Sequence, residues 1–140
     1  MDAASMGGGN FLKPGMYLVI LKDFVGPKAD KKGYHYEVIF EEVCKVGKGG
    51  TARLWISCDT AGMPTMDFQG EAKWQLLKDA CGIPPDADGD VDTNDLRWRS
   101  FIITIETSAK SKYPYITQIA PSNDGQEAAV FGYLARHYPT

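Results

Sequence analysis

Three segments in the first sixty residues carry the hydrophobic pattern of strands. Residues 16–24 are almost all apolar and too few for a typical helix, which indicates a buried strand. Residues 34–46 and 51–59 alternate between apolar and polar side chains with period two, as strands do when they bury one face. The polar, turn-rich residues 25–33 predict a loop between the first two strands, and the glycine-rich residues 47–50 predict a hairpin turn.

The hydrophobic period changes in the second half of the chain. Residues 67–81 place apolar side chains at helical spacing, and Gly82 with the prolines that follow it predicts the end of this helix. Residues 98–107 and 113–120 predict a fourth and a fifth strand. Pro114 places the fifth at a sheet edge, because proline cannot donate a ladder hydrogen bond. Residues 126–138 again show helical spacing and predict a C-terminal helix.

This order of elements predicts a mainly β protein with some helix. Three strands, a helix, two further strands and a terminal helix match the five-stranded OB-fold, a small Greek-key barrel whose helix lies between strands 3 and 4. We divide the chain into a flexible N-terminus (residues 1–10), an OB-fold domain (11–121) and a C-terminal helix (122–140) that is a candidate oligomerisation element. Another α+β arrangement, with the helices on one face of an antiparallel sheet, is the alternative.

The composition is that of an ordinary globular domain. Of 140 residues, 44% are hydrophobic and 24% are charged, which excludes a disordered or collagen-like chain. No apolar run approaches the about 18 residues of a membrane span, and the first ten residues lack the pattern of a signal peptide. The three cysteines are odd in number and widely spaced, so we expect reduced thiols and a cytoplasmic protein.

The net charge of −3 hides an uneven distribution of acidic residues. Five aspartates fall within residues 86–95, and outside that segment 15 basic residues stand against 13 acidic ones. The surface beyond the acidic loop therefore has the means to form a basic face. The loop itself resembles the start of a calcium-binding loop. The sixth and twelfth positions, however, are Val91 and Arg97, where that loop needs a glycine and a glutamate.

Candidate catalytic residues are scarce. The two histidines, His35 and His137, belong to no nucleophile or metal motif, and no phosphate-binding loop opens a helix. We therefore expect no enzymatic activity, no cofactor and no metal site.

Basic and aromatic residues cluster where an OB-fold binds its ligands. Strands 2 and 3 and the loops after strands 1 and 4 form the binding face of that fold. Single-strand binding needs cations for phosphates and flat rings for bases, and both occur at these places. The candidate contact residues are Lys28, Lys31, Lys32, Tyr34, Tyr36, Arg53, Trp55, Lys110, Lys112 and Tyr113.

The aromatic candidates have two interpretations. Tyr34 and Tyr36 share the parity of Val38 and Phe40 along their strand, so they are either binding platforms or core residues. Trp55 alternates with the core positions of its strand, which favours an exposed platform.

Several segments resemble a known family. The runs FLKPGMYLVILKDF, KKGYHYEVIFEEV, GGTARLWIS and GEAKWQLLKDACGIP resemble small bacteriophage-encoded OB-fold proteins of replication and recombination modules, which include single-stranded-DNA-binding proteins. The resemblance spans residues 11–120. It implies DNA binding through the barrel face, often in a homodimer or larger assembly. The chain differs from the bacterial type because it ends in a predicted helix instead of an acidic tail with an apolar tip.

The sequence thus predicts a sequence-nonspecific single-stranded-DNA-binding protein of phage replication or recombination, acting in the cytoplasm of the bacterial host. Other replication or recombination proteins are expected partners. The alternative is an OB-fold module that binds a host or phage protein, which the net negative charge and the acidic loop favour. The C-terminal helix is expected either to dock on a neighbouring chain or to cap the barrel.

Overall fold

The computed structural model describes residues 11–110 and 114–139. Within them, five strands form one antiparallel sheet. The elements are β1 (Gly15–Asp30), β2 (Gly33–Glu42), β3 (Thr51–Cys58), α1 (Gly70–Ala80), β4 (Ser100–Glu106), β5 (Tyr115–Pro121) and α2 (Glu127–His137). The N-terminal segment 1–10, predicted to be flexible, lies outside the described residues.

The strand order is β3-β2-β1-β4-β5, so β1 lies in the centre and pairs with both β2 and β4. This order, with a helix between β3 and β4, confirms the predicted mainly β, OB-like architecture. β5 is an edge strand, as predicted. The sheet curves so that β3 and β5 approach each other and α1 packs against both. No backbone ladder joins β3 to β5 in the described part of the chain, so the sheet is not closed.

The main core lies on the concave face of the sheet. Alternate residues of the strands are fully buried there, among them Val19 and Leu21 of β1 and Val38 of β2. Leu77 of α1 is also fully buried in this cluster, so the helix covers the core on its open side. Burial of this apolar surface is the main stabilising term of the fold.

The predicted loop over residues 25–33 is wrong for most of its length, because β1 continues to Asp30. Residues 25–30 are all exposed, so polar side chains are compatible with a strand here. A shift of register between Val25 and Lys28 lets the strand pass Gly26 and Pro27. Gly26 has a φ of 134°, and a Cβ there would lie 2.9 Å from the carbonyl oxygen of His35. Only a two-residue turn therefore separates β1 from β2.

Two other element boundaries differ from the prediction by three residues or more. β2 ends at Glu42 rather than near residue 46. α1 begins at Gly70 rather than at residue 67, because Phe68 and Gln69 adopt left-handed backbone conformations. Gly70 is required at this point, since a Cβ would lie 2.3 Å from the carbonyl oxygen of Ser57. The start of α1 is thereby held directly against β3.

The C-terminal helix packs on its own chain. Val130 and Tyr133 of α2 contact Ile20, which points away from the main core on β1, and Trp98 packs beside them. The prediction offered docking on a neighbouring chain or capping of the barrel. Within one chain α2 covers the outer face of β1, and docking on a neighbouring chain stays a prediction. None of the helices in the described residues is both long and apolar enough to cross a membrane.

Candidate nucleic-acid interface

Three adjacent depressions share Trp55 and form one continuous groove, which we call the Trp55 groove. Their volumes are about 760, 550 and 800 Å³, within the range of small-molecule binding pockets. The first is lined by Lys31, Lys32, Tyr34, Phe68 and Lys73, the second by Arg53, Lys73 and Tyr115, and the third by Phe11, Leu12, Ile105 and Ile116.

Trp55 is the central side chain of this groove. It alternates with Leu54 and Ile56, which are buried, so its ring leaves the core as the sequence predicts. The ring is 49% exposed. One of its faces stacks on the His35 imidazole, with ring centroids 4.0 Å apart and an interplanar angle of 6°. The indole is therefore held flat by the sheet, and His35 beneath it is only 6% exposed.

Four further aromatic side chains follow the groove on both sides of Trp55. With Trp55 they are between 37% and 57% exposed, which is unusual for large apolar rings. They are Phe11, Tyr34, Phe68 and Tyr115. Sequence reasoning selected Tyr34 and missed the other three. The sequence contained a signal for Tyr115, because it lies two residues after Tyr113, the last of the candidates selected before strand 5.

Phe68 projects into the groove because of its local backbone. Its φ of 52° is rare for a bulky residue and breaks the helix that the apolar spacing predicts. The ammonium of Lys32 lies over the ring, 4.8 Å from its centroid. This contact joins the β1–β2 turn to the segment before α1, and both segments line the first depression.

The turn between β1 and β2 presents two lysines at the rim of the groove. Its Asp30 accepts a hydrogen bond from the backbone N–H of Lys32 at 2.7 Å, which fixes the turn. This bond, together with the one from His35, lowers the pKa of the Asp30 carboxyl. Lys31 and Lys32 are exposed, so their charges are available to an anion.

Lys73 supplies a cation from α1, in the middle of the groove. Its ammonium donates a hydrogen bond of 3.1 Å to the carbonyl oxygen of Trp55. Partial burial lowers the pKa of this lysine, because desolvation disfavours the charged form. The sequence pattern placed Lys73 on a helix but gave no sign that the helix start is pressed against β3.

Two of the predicted cations are largely neutralised within the chain. Arg53 and Lys28 approach the carboxylate of Glu37 at 3.3 and 3.7 Å. Glu37 is only 7% exposed, so this carboxylate needs both partners. Arg53 still lines the groove, whereas Lys28 lines none of the three depressions.

The remaining candidates do not join the groove. Tyr36 belongs to the core side of β2, where its ring lies 5.1 Å from that of Phe24. Its hydroxyl donates to the carbonyl oxygen of Gly62 at 2.7 Å, and burial raises the pKa of the phenol. Lys110 is exposed in the turn after β4 and lines none of the three depressions. Lys112 and Tyr113 lie outside the described residues.

The acidic loop makes its hydrogen bonds within itself and to α1. The Asp86 carboxylate accepts the backbone N–H groups of Asp88 and Asp90, and Asp90 is bound by Lys78 and Trp74. No group of three or more potential ligands is placed to hold a metal ion in the part of the chain that the structure describes.

The Trp55 groove thus combines stacking surfaces with cations in one continuous track, and the carboxylates of Asp30, Asp59 and Asp67 also line its first depression. The sequence matches no protein-family model, and a comparison with curated proteins found no match either.

Proposed function

We propose that this chain binds single-stranded DNA without sequence preference, through the Trp55 groove and without catalysis. The observation that carries the proposal is the row of five exposed aromatic rings in a groove that also contains Lys31, Lys32 and Lys73. Flat rings stack on any base, at about 1–3 kcal/mol each, and lysines neutralise phosphates irrespective of sequence.

The path of a bound DNA strand follows from the order of these groups along the groove. A backbone that enters at the β1–β2 turn meets Lys31 and Lys32, then Lys73 beside Trp55, and then Tyr115 beside Arg53, whose charge is largely balanced by Glu37. Cations therefore lie beside stacking platforms along the groove, so the phosphates and the bases of one DNA strand have partners on the same surface.

The biological setting is proposed from the sequence resemblance. It supports a role in phage DNA replication or recombination, in the cytoplasm of the bacterial host, as a homodimer or larger homo-oligomer that works beside other replication or recombination proteins. The exposed Phe131 on the outer side of α2 is a candidate contact between copies.

A protein-binding module is the second candidate. The third depression favours it, because its lining by Phe11, Leu12, Ile105, Pro114 and Ile116 is apolar and lies between the edges of β3 and β5. An extended apolar peptide would fit such a seam. Binding to oligonucleotide separates the two candidates directly.

The test is the salt dependence of binding to labelled oligo-dT. We expect the affinity to fall steeply between about 50 and 200 mM salt, because bound phosphates release counterions. Replacing Lys31 and Lys32 together by alanine should flatten the slope of log K against log salt by roughly 0.7 for each lysine.

Lys45→Ala is the matched control, because Lys45 is exposed and lines none of the three depressions. Absence of binding at low salt would reject the proposal and leave the protein-binding module. If the slope of log K against log salt fell equally in the control variant, the phosphate contacts would not be specific to the groove.

A further inference from the structure

Asp30, His35 and Trp55 form a connected stack beneath the first depression. The Asp30 carboxylate and Nδ1 of His35 lie within hydrogen-bond distance, and the imidazole lies parallel under the indole. His35 lines the depression, and its Nε2 has no hydrogen-bond partner among the described residues. The pair therefore lies directly under the surface on which a base would stack.

The charge of this pair depends on one proton. Asp30 stays ionised across the neutral range, because the hydrogen bond from the Lys32 N–H, with that from His35, holds its pKa below the usual value. With a neutral imidazole the pair carries one negative charge, and with an imidazolium it carries none. Imidazoles change charge between about pH 5 and 8. A negative charge under the platform repels a phosphodiester backbone, whereas a neutral pair does not.

We propose that Asp30 and His35 determine how tightly the Trp55 groove binds single-stranded DNA, and that the protein binds single-stranded DNA more tightly when His35 is protonated. This inference rests on the proposed function, since the groove must bind a strand. It adds that binding takes up a proton at a residue which need not touch the DNA.

The other charged groups around His35 do not remove this effect. On its own strand Glu37 is paired with Arg53 and Lys28, so its charge is balanced. The groups that face His35 from neighbouring elements are Lys28 of β1, Lys31 and Lys32 of the turn, Asp59 and Asp67 of the segment after β3, Lys73 of α1, and the thiol of Cys58. Burial raises the pKa of the Cys58 thiol, which keeps the thiol uncharged through the neutral range, where imidazole is the side chain that ordinarily changes its charge.

The experiment measures the affinity for oligo-dT between about pH 5.5 and 8 at constant ionic strength. Thymine and the phosphodiesters keep their charge over this range, so the oligonucleotide contributes no pH dependence. We expect the wild-type affinity to rise about fivefold toward low pH, the effect of one unit charge on one nearby phosphate in a water-like dielectric.

Two variants separate charge from packing. His35→Gln keeps a flat amide under Trp55 but cannot become cationic, so its affinity should remain at the high-pH level of the wild type throughout. Asp30→Asn retains an oxygen that accepts the Lys32 N–H and removes the negative charge. It should bind at pH 8 as tightly as the wild type does at low pH.

Each outcome decides the inference. A wild-type affinity that does not change with pH, or a full pH dependence retained in His35→Gln, overturns the inference and leaves the proposed function intact. An equal loss of affinity at every pH in His35→Gln gives His35 a packing role only. Absence of binding at every pH rejects the proposed function, and this inference with it.

Discussion

The two ends of β2 use similar side chains to build two different surfaces. At one end Glu41 is buried under α2, and the hydroxyls of Tyr133 and Tyr138 donate hydrogen bonds to its carboxylate at 2.6 and 2.8 Å. At the other end His35 and Glu37 are buried on the same face of the strand, because residues an even number apart point to one side. An aromatic layer covers each end.

The two aromatic layers differ in whether the chain itself completes them. Tyr133 is 0% exposed, and its hydroxyl also accepts the backbone N–H of Gly49, so every polar group there has a partner. Trp55 is half exposed and has only one face covered by a ring in the described residues. The closed layer is a structural contact of the fold. The open layer is the one that we propose binds single-stranded DNA, and the predictions that follow separate these two roles.

The largest expected effect is on stability, at the closed end. Tyr133→Ala empties a fully buried site and leaves Glu41 with one hydroxyl donor fewer. We expect a loss of about 3–5 kcal/mol in the free energy of unfolding. Chemical denaturation measures it. Oligonucleotide affinity of the folded fraction should not change, and a loss of affinity without loss of stability would contradict the structural role of α2.

The next effect is on binding, at the open end. Trp55→Ala should lose about 1–3 kcal/mol of affinity for oligo-dT, the contribution of one stacked base. Its effect on unfolding should stay well below the about 3–5 kcal/mol of a buried tryptophan. Trp55→Phe is the matched control, since it keeps a ring. The reverse pattern, a large loss of stability with unchanged affinity, would make Trp55 a structural residue.

The closed end also predicts a dependence of stability on alkaline pH. Burial, and then the hydrogen bond to Glu41, raise the pKa values of Tyr133 and Tyr138 well above 10. The unfolded chain loses these protons first. The stabilisation is therefore complete below about pH 10 and is lost as the pH rises from there toward the folded-state values. Denaturation of the wild type and of Tyr138→Phe across this range tests it. Equal slopes in both would contradict the contribution of Tyr138.

The smallest expected effect on folding is at Phe131, on the outer side of α2. This ring is exposed, so Phe131→Glu should leave the free energy of unfolding nearly unchanged. If copies associate through α2, the variant should have a lower molar mass in light scattering than the wild type. If the wild type is an oligomer and Phe131→Glu has the same molar mass, this face of α2 is not part of the interface.

The sequence predicted the fold and the centre of the groove, because both follow from periodicity. Alternation along β3 placed Trp55 and Arg53 opposite the core, and the polar turn identified Lys31 and Lys32. These features depend only on neighbours in the sequence. Parity alone could not separate Tyr34 from Tyr36, since only the position of each residue in the folded sheet leaves the first exposed and the second partly buried against the core.

The rest of the site depends on contacts that are distant in sequence. Phe68 lies in a segment with helical spacing, and its exposure follows from a backbone conformation set where Gly70 meets β3. The role of Lys73 follows from the same contact. Likewise the pairing of His35 with Asp30 requires β1 to continue past Gly26. The polar composition of residues 25–30 predicted a loop there instead of a strand.

The most direct test of the Trp55 groove is ¹⁹F NMR of the protein labelled with 5-fluorotryptophan. The chain has three tryptophans, and the spectrum of Trp55→Phe assigns the Trp55 resonance. On titration with oligo-dT, we expect a saturable shift of the Trp55 resonance, with little change at Trp74 and Trp98, which pack in the two cores. Binding that leaves the Trp55 resonance unmoved, or that shifts Trp74 or Trp98 instead, would contradict the account.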